Sequence, residues 1–256
     1  MLHRIQDALT KFRWSFVEAL SPRKNVRSRG LNFTLPCNNW ITHYRWKTFN
    51  AKEPMTLDWI DRTVKNEGVL FDVGANIGIY SVYAALRHPH LKIFSFEPEY
   101  SNLHLLRDNI AANHLEGRVV PFSIGLDKCT SLSHLHIQDM TPGAALHTVT
   151  KENLHKTKEG KKVVLKEGIA VWSLDQFCEE MKVIPNYMKI DVDGTEKEVL
   201  EGGLKTLSSP SFRSLIIEFP SEEKARHFCE SLLDQTGLKK TFHENRYHYQ
   251  IWTRAD

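Results

Sequence analysis

A short apolar strand, a glycine turn and a later carboxylate form the part of this sequence best suited to chemistry. Residues 69–78 read Val-Leu-Phe-Asp-Val-Gly-Ala-Asn-Ile-Gly. A second apolar run ends in Glu97, about twenty residues further on. Glycines allow the backbone to approach a bound molecule closely, and an acid at the tip of the next strand accepts hydrogen bonds from ribose hydroxyls. This layout predicts a site for a cofactor that contains a nucleoside.

The spacing of the glycines distinguishes between kinds of nucleotide cofactor. Three residues separate Gly74 from Gly78, whereas a dinucleotide-binding turn has the pattern G-x-G-x-x-G, which cradles a pyrophosphate. Asp72 precedes the turn, where its carboxylate favours a cationic ligand. S-adenosylmethionine contains an adenosine ribose and a sulfonium cation, so it fits this pattern better than NAD does.

A second group of charged residues follows a later strand. Residues 188–196 read Met-Lys-Ile-Asp-Val-Asp-Gly-Thr-Glu, so Lys189 lies within the strand, and Asp191 and Asp193 follow at its carboxyl end. Glu218 ends the next predicted strand. Ligands of open α/β sheets bind outside the carboxyl ends of the strands. These acids are therefore predicted to lie near the glycine turn.

Carboxylates grouped beside a cofactor turn are suited to act as a base or as ligands to a metal that acidifies an acceptor group. Asp191 is the first candidate for either role. Asp193 and Glu218 complete an oxygen-rich set of the kind that binds Mg²⁺. Lys189 is suited to holding the carboxylates in place. Histidine ligands such as His147 are less favoured.

Each candidate also has a purely structural interpretation. A strand-end acid can cap the following helix, an asparagine can adopt a turn conformation, and an acid in the first turn of a helix complements the helix dipole. These alternatives apply to Glu97, Asn76, Asp193 with Gly194, Glu196 and Glu218.

From residue 69 onward, the pattern alternates strands with helices, as is typical of a parallel α/β sheet. The predicted strands are residues 69–73, 93–97, 119–123, 187–191 and 214–218. The predicted helices are residues 57–64, 79–86, 101–113, 195–207 and 221–235, with Thr195 and Ser221 as N-caps. Residues 240–252 alternate around a short turn at 244–246, which predicts a C-terminal antiparallel hairpin.

The N-terminus is predicted to be a separate segment. Leu2, Ile5, Leu9 and Phe12 recur at helical spacing with charged residues between them. We predict an amphipathic helix and cap segment over residues 1–50, followed by the α/β domain over residues 51–256. The helix either rests on a membrane surface or packs against its own domain or a second subunit.

An insertion at about residues 127–171 separates the third and fourth predicted strands. Leu132, Leu135 and Ile137 alternate with polar residues like an edge strand, and residues 151–166 are rich in lysine. This basic stretch is predicted to be either a solvated hairpin or a mobile lid over the substrate.

Composition narrows the class of protein. The chain has 256 residues, 41% of them hydrophobic, and a formal net charge of +3. These values are typical of a soluble globular protein without the strongly basic surface that nucleic-acid binding requires. The four cysteines include no C-x-x-C pair, which favours free thiols in a reducing compartment. No apolar run is long enough to span a membrane. We predict a cytoplasmic protein, with oligomerisation and contact with the inner membrane face left open.

Taken together, the motifs resemble those of the FkbM family of S-adenosylmethionine-dependent methyltransferases. The resemblance rests on residues 71–78, the Phe96-Glu97-Pro98 step and residues 189–202, and it extends over about residues 45–218. One departure is Asp193, where the family usually has glutamate. The resemblance implies a Rossmann-like class I methyltransferase fold of the α/β class, with a mostly parallel seven-stranded sheet and a C-terminal antiparallel hairpin.

The resemblance also implies which residues bind the cofactor. The methionine end would be lined by the residues of the glycine turn, namely Asp72, Gly74, Asn76 and Gly78. Glu97 would accept hydrogen bonds from the two ribose hydroxyls, and Ser123 and Ile124 would border the adenine.

O-methylation of a hydroxyl is the activity that the resemblance implies. The predicted acceptor is a sugar or glycan of a surface polysaccharide or natural-product glycoside. The alternatives are an RNA, protein or lipid acceptor, and a non-catalytic cofactor-binding module. The sequence lacks an Asn/Asp-Pro-Pro-Tyr/Phe segment for an amine acceptor, and its paired acids argue against a pure binding module. Four aromatic side chains are predicted either to stack on the faces of a sugar or to fill the core: Trp40, Tyr44, Trp46 and Trp172.

Overall fold

A central sheet of seven strands, with helices packed on both faces, dominates the computed structural model. The structure describes residues 22–156, 160–219, 222–244 and 248–255. The predicted N-terminal helix, the predicted N-cap Ser221 and part of the predicted turn at 244–246 lie outside these ranges. Within them, no helix is long and apolar enough to cross a membrane.

Before the central sheet, the described chain forms β1 (Arg23–Ser28), β2 (Leu31–Pro36), α1 (Trp40–Lys52) and α2 (Pro54–Arg62). Helix α1 was not predicted, although its start carries a signal. Asn39 and Thr42 form a capping box, in which each side chain bonds the backbone of the other. The hairpin and α1 share the core of the central sheet through Val26, Phe33 and Phe49.

Strands and helices then alternate as predicted. In chain order they are β3 (Val69–Val73), α3 (Ile79–Arg87), β4 (Lys92–Phe96), α4 (Tyr100–Ala112) and β5 (Val119–Phe122). Their ends agree with the predicted ends to within one residue.

The insertion, together with the two residues that precede it, forms a second, smaller sheet. Its strands are β6 (Gly125–Leu126), β7 (Ser131–Ile137), β8 (Thr148–Thr150) and β9 (Leu165–Trp172). Their spatial order is β6-β9-β7-β8, and β7 is antiparallel to both of its neighbours. The expected edge strand is therefore an inner strand, since alternation indicates a buried face and not the number of strands that pair with it. Leu135 and Ile137 share the buried face, whereas Leu132 lies on the opposite face and is 80% exposed.

The remaining elements are α5 (Leu174–Met181), β10 (Tyr187–Ile190), α6 (Glu196–Glu201), α7 (Leu204–Leu207), β11 (Ser214–Glu218), α8 (Glu223–Gln235), β12 (Leu238–His243) and β13 (Tyr249–Arg254). The single helix predicted over residues 195–207 is two helices that separate at Gly202 and Gly203. Gly202 packs so closely on the backbone of Asp127 that a Cβ would overlap it. Thr195 precedes α6 without the predicted side-chain capping bond.

Strand order identifies the fold. The central sheet runs β12-β13-β11-β10-β3-β4-β5, and β13 is antiparallel to β11 and β12 while the other pairs are parallel. A mostly parallel seven-stranded sheet with a C-terminal antiparallel hairpin is the predicted arrangement. The Rossmann-like class I methyltransferase fold is confirmed.

Alternate residues along the strands face two separate cores. Leu70 and Ile216 contact the core under α3 and α4, whereas Phe71 and Ile217 contact the core under α5 to α8. A parallel sheet covered on both faces is expected to be apolar throughout. Charged residues within its strands therefore need an explanation, and they lead to the candidate site.

Candidate active site

Two rows of polar residues cross the middle of the sheet. In the lower row, strand register places Asp72 of β3 between Ser95 of β4 and Lys189 of β10. The upper row lies at the carboxyl edge of the parallel strands. Glu97, Gly74 and Asp191 directly follow their strands, Glu218 is the last residue of β11, and Tyr249, which pairs with Glu218, is the first residue of β13. The fold thus brings together residues that the sequence predicted for both the cofactor and the acceptor.

Asp72 is buried beneath the glycine turn, and only 2% of its surface is exposed. Its Oδ2 accepts a hydrogen bond from the Ser81 hydroxyl of α3 at 2.5 Å, and its buried Oδ1 has no hydrogen-bond partner in the described chain. Burial raises the pKa of the Asp72 carboxyl, while the nearby Lys189 ammonium opposes that rise. A buried acceptor without a partner is costly, so Oδ1 suits a cationic hydrogen-bond donor from a ligand.

The glycine turn has a backbone that other residues adopt poorly. Gly74 and Gly78 have φ values of +77° and +73°. The amides of Gly74 and Ala75 both donate to the Phe96 carbonyl at 3.0 Å, which ties the turn to the tip of β4. A Cβ on Gly74 would overlap the carbonyl oxygen of Asp191. The turn therefore rests directly on the second motif.

Replacing Gly74 with alanine is expected to destabilise the fold by about 2–4 kcal/mol, because the left-handed backbone and the overlap with Asp191 both oppose a side chain. The matched control is Gly30→Ala, where φ is +84° but no atom lies within 4 Å of the added Cβ. That control is expected to lose about 1 kcal/mol. Urea unfolding of both variants measures the difference. Equal losses would show that contact with Asp191 does not constrain the turn.

Glu97 is buried, and its two carboxylate oxygens accept the backbone amides of Asn76 and Glu99, each at 2.8 Å. Burial raises the pKa of Glu97 to about 8, against the two amides, which lower it. The structural alternative for Glu97 was a cap on the following helix. That cap is instead Glu99, whose side chain accepts the amide of Asn102 at 2.7 Å.

Asn76 combines a turn role with a contact outside the turn. Its φ is +51°, and its Oδ1 accepts the amide of Ile77 at 2.9 Å, as the turn interpretation expects. Its Nδ2 donates to the carbonyl of Ala144 in the insertion at 2.8 Å. Ser123 and Ile124 follow β5 beside the tip of β4, with Ser123 exposed and Ile124 half-buried.

Lys189 and Asp191 form an ion pair, with 2.7 Å between Nζ and Oδ2. The Lys189 side chain is 2% exposed, and its ammonium lies 5.1 Å from the centre of the Tyr80 ring. Burial alone would lower the pKa of Lys189, but the carboxylates of Asp191 and Asp72 outweigh burial and raise it. Burial likewise opposes ionisation of Asp191, but the Lys189 charge outweighs it and holds the Asp191 pKa below its usual range.

The pKa of Glu218 is shifted in the opposite direction to that of the neighbouring Asp191. Burial, followed by the negative charge of Asp191, raises the pKa of Glu218. Two carboxyl groups that share a site cannot both ionise easily, so one keeps its proton. Asp191 is therefore the ionised member of this pair, and Glu218 is the member that retains a proton.

Sequence reasoning missed three residues that face this pair. Glu53 is buried at the junction of α1 and α2, where Lys52 reaches its carboxylate at 3.2 Å. Tyr80 on α3 and Tyr249 on β13 have buried hydroxyls that lie close to the carboxylates of Glu53 and Glu218 respectively. Burial and nearby carboxylates raise the pKa of both tyrosines. The local signal was weak, because Glu53 precedes a proline as an ordinary helix start does, and Tyr249 lies in an ordinary hairpin strand.

Asp193 does not join the other two predicted metal ligands. Its Oδ2 accepts the backbone amides of Leu146 and His147 at 2.5 and 3.2 Å, so it binds the insertion. The Lys189 ammonium contacts Asp191 in the position that a cation would need. Across the described ranges, no group of three or more histidine, cysteine, aspartate or glutamate side chains is arranged to hold a metal ion. The predicted Mg²⁺ set does not fit this arrangement.

Comparison with known proteins identifies the family. A family model described as the methyltransferase FkbM domain matches residues 72–247, which include both motifs. The chain belongs to the FkbM methyltransferase family. The predicted resemblance is thus confirmed, and this FkbM-family protein is an S-adenosylmethionine-dependent methyltransferase.

Several characterised relatives are similar to this FkbM-family protein. Methyltransferase sdnD of Sordaria araneosa is 27% identical over 67% of this chain and 74% of its own length. The 31-O-demethyl-FK506 methyltransferase FkbM of Streptomyces tacrolimicus is 29% identical over 66% of this chain and 72% of its own. Hexuronic acid methyltransferase AglP of Haloferax volcanii is 30% identical over 58% of this chain and 55% of its own.

Among solved structures, the precorrin-6y C5,15-methyltransferase of Geobacter metallireducens is similar, with a TM-score of 0.47 and 12% identity. The match covers 79% of this chain and 87% of that protein.

The residues at the site fit the family's cofactor on their own chemistry. The unpartnered Asp72 Oδ1 suits a cationic donor, and the glycines let the turn pack directly on Asp191 and Leu106, which fixes its position. Glu97 supplies acceptor oxygens at the tip of the neighbouring strand. These features carry the proposal that follows.

Proposed function

We propose that this FkbM-family protein transfers the methyl group of S-adenosylmethionine to a hydroxyl of a sugar or glycan. The observation that carries the proposal is the Lys189–Asp191 ion pair with Glu218 beside it, at strand ends that adjoin the glycine turn. A pair of half-buried acids with an ammonium beside it, next to the glycine turn, is suited to removing a proton from a hydroxyl.

Cofactor binding is assigned to the residues around the glycine turn and the tips of β4 and β5. Asp72 and Asn76 would hold the methionine end, and Gly74 and Gly78 would admit it. Glu97 would accept the ribose hydroxyls, with Ser123 and Ile124 bordering the adenine. When bound, S-adenosylmethionine supplies an electrophilic methyl group on a sulfonium cation.

The acceptor hydroxyl is activated by the two acids acting together. Lys189 keeps Asp191 ionised and fixes its orientation. Asp191 alone is a weak base because its pKa is low, whereas Glu218 has a proton affinity closer to that of a useful base. We assign proton acceptance to the pair, with Asp191 orienting the hydroxyl and Glu218 taking the proton once ionised. Positioning of the hydroxyl against the methyl group contributes about 7–11 kcal/mol in favourable cases.

Two kinds of observation support a sugar acceptor. The relatives include a protein named as a hexuronic acid methyltransferase and one named for 31-O-demethyl-FK506, and both names are consistent with transfer to oxygen. On α1, Trp40 is 73% exposed and Tyr44 is 46% exposed. Large aromatic side chains are usually more buried than this, and exposed aromatic rings are suited to stacking on the faces of sugars. Trp46 and Trp172 instead pack against the two cores, as the structural interpretation predicts.

Isothermal titration of S-adenosylmethionine into the purified protein, followed by a labelled-methyl assay on a panel of acceptors, tests this proposal. We expect saturable binding at one site and transfer to free or glycosidically linked sugars, uronic acids included. Folded protein that does not bind the cofactor would overturn the proposal. Transfer to RNA, protein or lipid without transfer to sugars would retain the chemistry and replace the acceptor class.

Turnover is expected to rise with pH and to level off above the pKa of Glu218. Burial and the Asp191 charge raise that pKa to about 8, so below pH 8 the pair holds a proton and is the weaker base. In the Glu218→Gln variant the rise should disappear and turnover should be low throughout. Initial rates of wild type and variant between about pH 6 and pH 10 show the difference. An unchanged profile in Glu218→Gln would assign the titration to another group.

A further inference from the structure

One short segment of the insertion crosses the carboxyl edge of the sheet above the predicted cofactor site. We call residues 141–147 the strap. The carbonyl of Ala144 in the strap accepts the Asn76 amide group of the glycine turn at 2.8 Å. The amides of Leu146 and His147 donate to Asp193, which follows β10. The strap is thus hydrogen-bonded to loops that follow two neighbouring strands of the central sheet.

Asn102, in the first turn of α4, binds the strap from the side of Glu97. Its Oδ1 accepts the amide of Gly143 at 2.7 Å, and its Nδ2 donates to the carbonyl of Ala144 at 3.0 Å. The side chain is 1% exposed, so this recognition of the strap backbone occurs away from water. An asparagine is the residue type that can both donate and accept in this way.

Helix α1 holds the other edge of the strap. The Asn39 side chain donates to the carbonyl of Pro142, and Arg45 Nε donates to the carbonyl of Gly143, both at 2.8 Å. Every one of these hydrogen bonds reaches a backbone atom of the strap. The surrounding elements therefore fix the backbone conformation of the strap through hydrogen bonds that do not depend on its side chains.

The closed strap also contains backbone strain. Leu146 has a φ of +67°, a left-handed conformation that is unfavourable for a residue with a branched side chain. The amide of this strained residue is one of those that Asp193 accepts. Because the strain persists only while surrounding contacts maintain it, loss of the Asp193 contact favours opening.

We propose that Asn102 and Asp193 are positioning residues that hold the strap closed over the cofactor site, and that the strap must open for cofactor to bind and leave. This inference rests on the proposed function, because it takes the glycine turn and Glu97 as the cofactor site. It gives Asp193 a role in positioning the strap, in place of a metal ligand, and gives Asn102 a role that sequence reasoning did not predict.

Hydrogen exchange and cofactor dissociation of two variants test the proposal. Asp193→Ala removes a partly exposed side chain, and Asn102→Ala removes a buried one. The control Asn153→Ala lies in the same insertion, but its exposed side chain contacts Lys166 and not the strap. In cofactor-free protein, we expect the amides of Gly143, Leu146 and His147 to exchange roughly tenfold faster where their acceptor is lost. The control should match wild type.

In stopped-flow experiments, the dissociation rate of S-adenosylmethionine should rise roughly tenfold in both variants, consistent with one lost hydrogen bond. Asp193→Asn, which retains an acceptor oxygen, should lie between Asp193→Ala and wild type. A role in stability alone would lower the melting temperature without changing the dissociation rate.

Unchanged exchange in the folded Asp193→Ala variant, or faster exchange with an unchanged dissociation rate, would overturn the strap proposal. If wild type does not bind S-adenosylmethionine, the proposed function fails instead. The exchange measurement needs no cofactor, so it still decides whether Asn102 and Asp193 hold the strap.

Discussion

Replacing Glu97 with alanine is expected to weaken S-adenosylmethionine binding by about 10²–10⁴-fold. The assigned role of Glu97 is to accept the two ribose hydroxyls. Hydrogen bonds from those hydroxyls favour the ionised carboxylate, against the burial that raises its pKa to about 8 in the cofactor-free protein. A hydrogen bond to such a charged group contributes about 1.5–3 kcal/mol. The carboxylate also orders the turn, because it accepts the amides of Asn76 and Glu99. Isothermal titration of wild type and Glu97→Ala measures the loss.

Glu99→Ala is the matched control for this experiment. Glu99 lies two residues further on, is equally buried and binds the amide of Asn102 at the start of α4. Its loss should reduce stability by about 1 kcal/mol, as for other helix caps, and should leave cofactor affinity within a few-fold of wild type. Equal losses of affinity in the two variants would mean that the loop collapsed, and would remove the case for ribose recognition by Glu97.

The substitution Asp191→Asn is expected to lower kcat by about 10²–10⁴-fold, the usual contribution of positioned acid–base groups. The reason is that it removes the ionised member of the pair that orients the hydroxyl while Glu218 takes its proton. Cofactor affinity should change little. Asparagine preserves the shape of the side chain but cannot carry the charge that pairs with Lys189. The buried ammonium then loses its closest carboxylate, which in similar cases costs about 3–5 kcal/mol of stability. Single-turnover methyl transfer and urea unfolding follow the two effects separately.

The double variant Lys189→Met with Asp191→Asn separates catalysis from stability. With no buried ammonium left unpaired, stability should recover substantially towards the wild-type value, because replacing both members of a buried ion pair is far less costly than removing one. Turnover should stay low, since the ionised carboxylate is still missing. Recovery of turnover together with stability would show that Asp191 supports the fold and has no part in proton transfer.

Much of the site's outline was predictable from local sequence. The glycine turn, Glu97 and the acids after β10 each lie at the end of an apolar run, and the carboxyl ends of parallel strands meet at one edge of a sheet. Alternation of strand and helix patterns therefore sufficed to predict that these residues come together. The same reasoning predicted the five parallel strands and the C-terminal hairpin, because each element carries its own periodicity and end signals. The resemblance to the FkbM family implied that they form one seven-stranded sheet.

The partners of those residues depend on contacts between distant parts of the chain. Asp193 binds the strap at Leu146, which is 47 residues away, and Asn102 binds Gly143, which is 41 residues away. Both residues have ordinary local interpretations, as a turn acid and as a helix residue. Neither the spacing nor the hydrophobic pattern specifies which backbone groups a polar side chain will meet.

By itself, the sequence determined the fold class, the position of the glycine turn and the family, since these depend on short-range patterns that each segment carries. Only the tertiary structure decided that Asp191 pairs with Lys189 and adjoins Glu218. It also decided that Glu53 and Tyr249 face this pair, and that Asp193 binds the strap. The physical reason is that burial and charge at one point depend on every element packed there. Long-range packing thus divides the acids of one motif between an ion pair beside Glu218 and hydrogen bonds to the strap.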